Sequence, residues 1–190
     1  MIFVQKKLKV SIAYTVRDEN YRILEEFPES HPFVYIHGYK NIVSGLEDAL
    51  ENKTIGESFT IHLPARDAYG PYRNDLIIEV EKEELKDVGE IWVGMEIEMV
   101  RENDWNDFQI PEYPEDIYNQ SPDGIEIYII KEIKDKTVVL DGNHPFAGKN
   151  LFFDVRILNI EEASYSELES GFPDDDNDFE NFNDLNQEHF

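Results

Sequence analysis

The stretch VSIAYTV, residues 10–16, places a large apolar side chain at every second position. A period of two predicts a β-strand with one buried face. The stretches FTIHL, residues 59–63, and FFDVRIL, residues 152–158, alternate in the same way. Short strands of this kind recur along the chain and indicate a mainly β architecture.

One helix is predicted among these strands. Asn41 is placed to cap it, and Gly56 lies beyond the point where it ends. The apolar residues that fall on one face of this helix are Ile42, Val43, Leu46, Ala49 and Leu50. Many short strands with one central helix predict an α+β fold.

The composition limits the classes of protein that the chain can belong to. It has 190 residues, with 42 Asp or Glu against 17 Lys or Arg, for a net charge of −25. The hydrophobic fraction of 41% argues against a wholly disordered acidic protein. The negative charge disfavours binding to a nucleic-acid backbone. The absence of Cys excludes disulfides, thiolate catalysis and Cys-ligated metal sites.

Targeting signals are not expected. The first residues, MIFVQKKLKVSIAYTV, lack the apolar run of a secretory signal, and the chain has no uncharged apolar run of about 18 residues or more. We therefore expect a cytoplasmic protein that has no membrane partner.

The charge distribution predicts three segments. Residues 77–137 hold 18 acidic and 6 basic side chains, and residues 161–190 hold 11 acidic side chains and no Lys or Arg. The remainder, 1–76 with 138–160, is nearly neutral, with 13 acidic and 11 basic side chains. This pattern predicts a discontinuous body, an acidic middle segment and an acidic tail.

The tail, 161–190, is predicted to be disordered because its charges repel one another and its apolar pattern is weak. It could be a solubilising extension. Alternatively, its apolar side chains could dock on a partner or fold back on the protein; these are Phe172, Phe179, Phe182 and Leu185. On the first reading, truncation after Glu162 leaves the fold and the activity intact.

Standard catalytic motifs are absent from the sequence. It has no GxSxG, P-loop or GxGxxG motif. The five His residues, at positions 31, 37, 62, 144 and 189, are too far apart for a compact ligand set. Neighbouring acidic residues carry little information in so acidic a chain. We therefore expect neither a metal nor a cofactor.

Aromatic residues are unusually frequent beside the predicted loops and turns. Each of them taken alone is well explained as part of the core. Together they suit an apolar groove lined with one or two phenol donors. They are Tyr14, Phe27, Phe33, Tyr35, Tyr69, Tyr72, Phe146 and Phe153.

Several stretches carry a family resemblance. They are VSIAYTV (10–16), YIHGYKNIVSGLEDAL (35–50), IGESF (55–59), ARDAYGPY (65–72) and VVLDGNHPFAGKNLFFDV (138–155). In these residues the chain resembles the FKBP-type peptidyl-prolyl cis–trans isomerases, and among them the SlyD-like bacterial branch. The resemblance implies an FKBP-like antiparallel β half-barrel around one helix. It also implies a small β-rich chaperone domain inserted in the flap, which corresponds to 77–137.

The resemblance also implies site residues. Catalytic roles fall on Tyr69, Glu25 and Tyr14. Substrate contacts fall on Phe33, Ile42, Val43, Leu46, Phe153 and His144. In such enzymes the phenol at Tyr69 bonds a substrate carbonyl and Leu46 forms the floor of the proline pocket. Glu25 stands where the family usually has Asp.

The inserted segment is expected to hold unfolded chains through exposed apolar residues. The candidates are Ile77, Ile78, Val80, Ile91, Met95, Met99 and Phe108. Flexible Met side chains suit promiscuous binding. The alternative is that these residues form a small core of the segment itself.

The sequence thus predicts a monomeric isomerase and folding chaperone that acts on unfolded or partly folded proline-containing chains. Relatives of this branch often have a His- and Cys-rich metal-binding tail, but this tail has one His and no Cys. The alternative function is a non-catalytic holdase or binding module on the same fold, and Glu25 gives it some weight.

Overall fold

A computed structural model of the protein describes residues 2–100 and 125–174. The chain divides into two units. The first contains the described parts of 1–68 and 149–190, and the second contains those of 69–148. None of the helices in these described ranges has the length and apolar character needed to span a bilayer.

The first unit is built on one antiparallel sheet. Its elements are β1 (Leu8–Arg17), β2 (Ile23–Phe27), β3 (Phe33–Ile36), α1 (Ser44–Leu50), β4 (Ser58–Leu63), a 3₁₀ turn (Ala65–Asp67), β9 (Leu151–Glu162) and α2 (Tyr165–Ser170). The strand order is β2-β1-β9-β4, and β3 pairs with the first half of β1. The long strands β1 and β9 therefore form its centre.

The predicted alternation places the core on one face of this sheet. On β1, Val10, Ile12 and Val16 are completely buried. The pairing of β1 with β9 shifts by one residue next to Ser11, which is a β-bulge. After this shift, Ile157 and Ile160 are both buried although they are three residues apart. Simple alternation from the sequence does not predict this change of phase.

The helix α1 begins later than predicted. Its N-cap position is Val43, and no side chain caps it. Asn41 is not a cap, because its Oδ1 accepts the Ile36 backbone N–H at 2.8 Å. Leu46 and Leu50, one turn apart, are the buried residues of the helix. Gly45 lies so close to Leu63, at the end of β4, that an added Cβ would be 2.7 Å from its Cδ2.

The second unit contains a separate antiparallel sheet. Its elements are a 3₁₀ turn (Asn74–Leu76), β5 (Ile77–Glu81), a 3₁₀ turn (Lys82–Leu85), β6 (Glu96–Val100), β7 (Ile125–Ile133) and β8 (Thr137–Asp141). The strand order is β5-β8-β7-β6. Because β8 pairs with β5 and β7, the strand at 138–140 belongs to this sheet and not to the near-neutral body.

The core of the second unit uses most of the residues expected to bind clients. Its buried side chains are Leu85, Ile97, Tyr128, Ile130, Val138 and Leu140. Ile78, Val80, Ile91, Met95 and Met99 are half-buried and pack against this cluster. Ile77 is also half-buried. These residues therefore do not form a fully exposed apolar surface. Phe108 lies outside the described residues.

The beginning of the predicted tail is ordered, which corrects the expectation of disorder from residue 161. The strand β9 continues to Glu162, and α2 follows it directly. Ser164 caps α2 in a capping box with Glu167: each side chain accepts the other residue's backbone N–H. Residues 175–190 lie outside the described range.

Glu167 is the buried charge that holds this segment to the unit. Its side chain is only 2% exposed and accepts a bond from the Lys9 ammonium at 3.0 Å. Burial raises the pKa of the carboxyl, but the bonds from Ser164, Lys9 and Asp174 outweigh burial and keep the pKa of Glu167 below its usual value. The sequence shows only that this segment is acidic. It does not predict that one of its carboxylates is buried and stabilises the fold.

Glu167→Gln should destabilise the protein by about 1.5–3 kcal/mol at neutral pH, because a hydrogen-bonded buried charge is lost. Since the folded-state pKa of Glu167 is depressed, its contribution is complete above the usual Glu pKa and disappears as the pH falls through the folded-state pKa. Urea unfolding of both proteins at neutral and acidic pH should show the difference shrinking at acidic pH. Glu169→Gln, on an exposed position of the same helix, is the control.

Candidate active site

Four aromatic rings come together in the first unit. Tyr14 on β1 lies opposite Phe27 on β2, and their ring centroids are 5.0 Å apart. Phe33, at the start of β3, meets the Phe27 ring edge-on at 5.3 Å and the Tyr14 ring at 6.0 Å. Phe153 on β9 lies 6.3 Å from Tyr14. These contacts make an aromatic cluster of Tyr14, Phe27, Phe33 and Phe153.

The sequence placed all four rings among the aromatic residues of an apolar groove, but the family resemblance implied site roles only for Tyr14, Phe33 and Phe153 and none for Phe27. The missing signal was local. Glu25 and Phe27 are two residues apart on one strand, so they share a face of the sheet. The Glu25 carboxylate accepts a hydrogen bond from the Tyr14 hydroxyl. Glu25, which stands where the family usually has Asp, therefore does reach this tyrosine.

The environment of Glu25 favours its neutral form. Burial raises the pKa of Glu25, and the hydrogen bond from Tyr14 offsets only part of this effect. The carboxyl and the phenol satisfy each other. As a result, the Tyr14 hydroxyl is paired, and the rest of the cluster is apolar: Phe27 and Phe33 are half-buried and Phe153 is buried.

Phe33 packs against Tyr35, two residues further along β3, and Tyr35 belongs to a second group of hydrogen-bonded side chains. The rings of Phe33 and Tyr35 stack with a centroid distance of 6.4 Å. His37 Nε2–H donates to the Glu51 carboxylate at 2.7 Å, so in the neutral imidazole Nδ1 accepts the Tyr35 hydroxyl hydrogen at 3.1 Å. Burial is the main reason that the pKa of Tyr35 is raised, and Glu47 and Glu51 raise it further. The phenol of Tyr35 thus stays protonated.

The helix α1 carries the other predicted contacts of the first unit. Ile42 and Val43 precede its first turn and are half-buried. The Val43 carbonyl accepts the backbone N–H groups of Leu46 and Glu47 at 3.0 Å each, which begins the helix. Leu46 and Phe153 are each only 2% exposed.

In the second unit, the Tyr69 ring packs against two side chains of the loop that follows β8. Its ring stacks on His144 with a centroid distance of 4.0 Å and an interplanar angle of 17°. Phe146 meets it edge-on at 5.3 Å. His144 Nδ1 accepts the Phe146 N–H at 2.9 Å, which fixes the imidazole. The structure therefore brings together Tyr69 and His144, both predicted as site residues.

Asn143 fastens this loop to the segment after Tyr69. Its side-chain carbonyl accepts the Arg73 N–H, and its amide nitrogen donates to the Arg73 carbonyl, both at 2.8 Å. The same nitrogen donates to Asp141 at 2.7 Å. Asn143 is only 5% exposed, so these bonds satisfy a buried amide. Nothing in the sequence indicated this role for Asn143, because its partner Arg73 lies 70 residues away.

An open groove of about 590 Å³ crosses the sheet of the first unit. Tyr14 and Phe27 of the aromatic cluster are among the residues that line it. More than half of the lining residues are polar or charged: Thr15, Glu26, Glu29, Ser58, Thr60, Asp154 and Arg156. Such a lining does not exclude water from an amide. Among the described residues, no three His, Asp or Glu side chains are grouped so that they could hold a metal ion.

Comparisons with known proteins show the family of the chain. The profile of the family described as FKBP-type peptidyl-prolyl cis-trans isomerase matches residues 2–158. The chain is 39% identical over 168 residues to the FKBP-type peptidyl-prolyl cis-trans isomerase SlyD of Escherichia coli K12, which covers 88% of this chain and 76% of that protein. The SlyD proteins of Pasteurella multocida and Haemophilus influenzae are 32% and 33% identical over the same share of this chain and 74% and 78% of their own.

These matches cover both units, including the sheet of β5 to β8. They favour the isomerase over the non-catalytic binding module. The α+β architecture with antiparallel sheets is the one expected of the family. The chain therefore belongs to the FKBP-type peptidyl-prolyl cis–trans isomerases, is itself a SlyD-like member, and catalyses the isomerisation of X–Pro bonds.

Proposed function

We propose that the aromatic cluster of the first unit, with Leu46, is the surface on which the prolyl bond is twisted. The observation that carries the proposal is the meeting of four rings at centroid distances of 5.0–6.3 Å, with the Tyr14 hydroxyl already paired to Glu25. Such a surface offers apolar contact without unpaired charge. The substrates are unfolded or partly folded proline-containing chains.

The chemistry follows from the amide itself. Resonance holds the peptide bond planar with a barrier of about 18–20 kcal/mol, and proline reduces the preference for trans. When the bond twists, resonance is lost and the carbonyl becomes less dipolar. A site that excludes water therefore stabilises the twisted form relative to the planar one. No nucleophile, metal or proton transfer is needed.

We assign Tyr69 the hydrogen bond to a substrate carbonyl that the family resemblance implies. Its stacking on His144 and edge contact with Phe146 support this role, because a ring packed in this way loses little further freedom on binding.

We also propose that the part of the second unit that carries the sheet of β5 to β8 is the insert-in-flap chaperone domain. Its client surface differs from the one predicted from the sequence. Its large exposed apolar side chains among the described residues include Val88, Trp92 and Val93, which are 41%, 58% and 60% exposed. Exposed apolar side chains of this size, Trp above all, are typical of binding sites.

Trp92 and Val93 lie in a turn whose backbone is held by hydrogen bonds. The Met95 N–H donates to the Trp92 carbonyl at 3.2 Å, and Gly94 N–H donates to Ile130 on β7 at 2.7 Å. Gly94 has a φ of 93°, which other residues rarely adopt. The turn is thus tied to the sheet while its two apolar side chains face solvent.

This proposal includes four expectations from the sequence: the chaperone role, the client class, the monomeric state and the cytoplasmic location. For the acidic tail, only residues 175–190 remain candidates for a solubilising extension, because residues up to Asp174 are part of the described fold.

Leu46→Ala and Phe153→Ala should each lower kcat/KM for a proline tetrapeptide by about tenfold or more, because each removes apolar surface from the site. Both cost stability, since truncation of a large core side chain typically costs about 2–5 kcal/mol. Turnover in a protease-coupled assay must therefore be referred to the folded fraction measured by circular dichroism.

The matched control for these two variants is Leu50→Ala, one turn further along α1 and equally buried. It should lose stability but keep its turnover per folded molecule. Full turnover in both site variants would place the site elsewhere. Incubation of the wild-type protein with EDTA should leave turnover unchanged, and a loss would contradict the metal-free mechanism.

Tyr69→Phe should lower kcat/KM by about two- to tenfold, the usual worth of one hydrogen bond. The phenyl ring keeps the stacking on His144, so the melting temperature should be preserved. The test compares tetrapeptide turnover and thermal unfolding for the two proteins. An unchanged kcat/KM would mean that the Tyr69 hydroxyl does not donate a hydrogen bond to the substrate.

Trp92→Ser combined with Val93→Ser should lower catalysis of proline-limited refolding of a protein by more than about tenfold, because binding that holds a client nearby raises its effective concentration. Turnover of a tetrapeptide should stay within about twofold, as for a surface substitution. The control is Ile55→Ser, which removes an exposed apolar side chain from the first unit. Equal losses on peptide and protein would argue against a client-binding surface here.

A further inference from the structure

The segment after β9 folds into a closed turn of its own. Besides the Ser164–Glu167 capping box, the Asp174 carboxylate accepts the hydroxyls of Ser164 at 2.8 Å and Ser166 at 2.6 Å. The Asp174 N–H returns to the Glu167 carboxylate at 3.2 Å. Residues 164–174 thus form a C-terminal turn whose two ends are bonded to each other.

The contacts that attach this C-terminal turn to the rest of the first unit include one ion pair, one hydrogen bond and one close approach. Glu167 accepts the Lys9 ammonium at 3.0 Å. The Gly171 carbonyl accepts the Asn41 side-chain N–H at 3.0 Å. Gly171 also lies against the Tyr39 ring, where an added Cβ would be 3.3 Å from Cδ1. With a φ of 82°, Gly171 ends α2 in the left-handed conformation that allows this approach.

Asn41 uses both ends of its amide in this arrangement. Its oxygen accepts the N–H of Ile36, the last residue of β3, and its nitrogen donates to Gly171. Asn41 therefore links a strand end to the C-terminal turn. It lies directly before Ile42 and Val43, which lead into α1.

The connection between β3 and α1 has little regular structure to hold it. Gly38 and Lys40 have φ values of 87° and 60°, and α1 begins without a side-chain cap. Backbone bonds of His37 to Lys7 and Leu8, at 2.9 Å each, hold its start. Side chains restrain the part that follows: Glu47 accepts the Gly38 N–H at 2.8 Å, and Asn41 bonds as described. The position of Ile42 and Val43 is thus sensitive to those bonds.

We propose that the C-terminal turn, acting through Asn41, is a positioning element for the isomerase site: it holds the connection 37–43 in the geometry that presents Ile42 and Val43 to the substrate. This inference rests on the proposed substrate contact of those two residues. It makes residues 164–174 part of the catalytic unit, with Asn41 as its positioning residue.

Asn41→Asp tests the proposal in the full chain. The substitution keeps an oxygen for the Ile36 N–H but replaces the donor to the Gly171 carbonyl by a second acceptor. We expect KM for a proline tetrapeptide to rise about three- to tenfold, the usual worth of one hydrogen bond, with little change in kcat. Hydrogen exchange at the backbone amides of 39–47 should become faster.

The control Asn20→Asp makes the same exchange at an exposed turn of the same unit and should match the wild type in both readouts. Two truncations complete the test. A chain ending at Asp174 keeps the C-terminal turn and should behave as the full chain. A chain ending at Glu162 should show the raised KM, and adding Asn41→Asp to it should change nothing more, because the partner is already gone.

Three outcomes would overturn the proposal. One is a KM for Asn41→Asp equal to that of Asn20→Asp with only a lower melting temperature, which would make the contact merely structural. Another is an undiminished effect of Asn41→Asp in the chain ending at Glu162, which would exclude action through Gly171. The third is faster exchange at 39–47 with an unchanged KM, which would mean that Ile42 and Val43 do not meet substrate, whatever Leu46→Ala and Phe153→Ala show.

Discussion

The pairing of β1 with β9 is the constraint on which the first unit depends, because it joins Leu8–Arg17 to Leu151–Glu162 across most of the chain. Closing so long a loop costs entropy that only the packing of the finished sheet can recover. That packing includes the proposed site, since Tyr14 and Phe153 lie on these two strands. The edges of the pair then receive β2 and β3 on one side and β4 on the other.

The pairing of β1 with β9 also places the basic side chain of Lys9 where it binds two carboxylates. In a chain with a net charge of −25, self-repulsion opposes the compact state, and each basic side chain that is well placed matters more. Lys9 lies at the start of β1 and pairs with both Glu161 and Glu167 at 3.0 Å. Its bond to Glu167 is the main reason that the pKa of Lys9 is raised. One ammonium group on β1 therefore binds a carboxylate of β9 and a carboxylate of the C-terminal turn.

The candidate site shows how an isomerase can be built without strong acids or bases. The polar groups near the aromatic cluster bond one another: Tyr14 bonds Glu25, and Tyr35 bonds His37. Their pairing removes the cost of leaving buried polar groups unsatisfied. In the function that we propose, the rings are the surface that meets the prolyl bond. Stabilising a less dipolar twisted amide requires this kind of surface, whereas ionised groups would bring water with them.

The sequence alone determined the strands with a period of two, the central helix and the family, because these depend on neighbouring residues and on contiguous motifs such as DGNHPFAGKNL (141–151). The tertiary structure decided features whose partners are remote in sequence. Lys9 and Glu167 are 158 residues apart. The composition therefore predicted only that the carboxylates of the acidic tail repel one another, whereas in the fold one of them forms a buried ion pair with Lys9. Val80 and Met95 pack against a core while Trp92 and Val93 stay exposed, although all four are apolar residues of the same segment. Local pattern fixes which side chains can be buried, but only the pairing of distant strands decides which of them are.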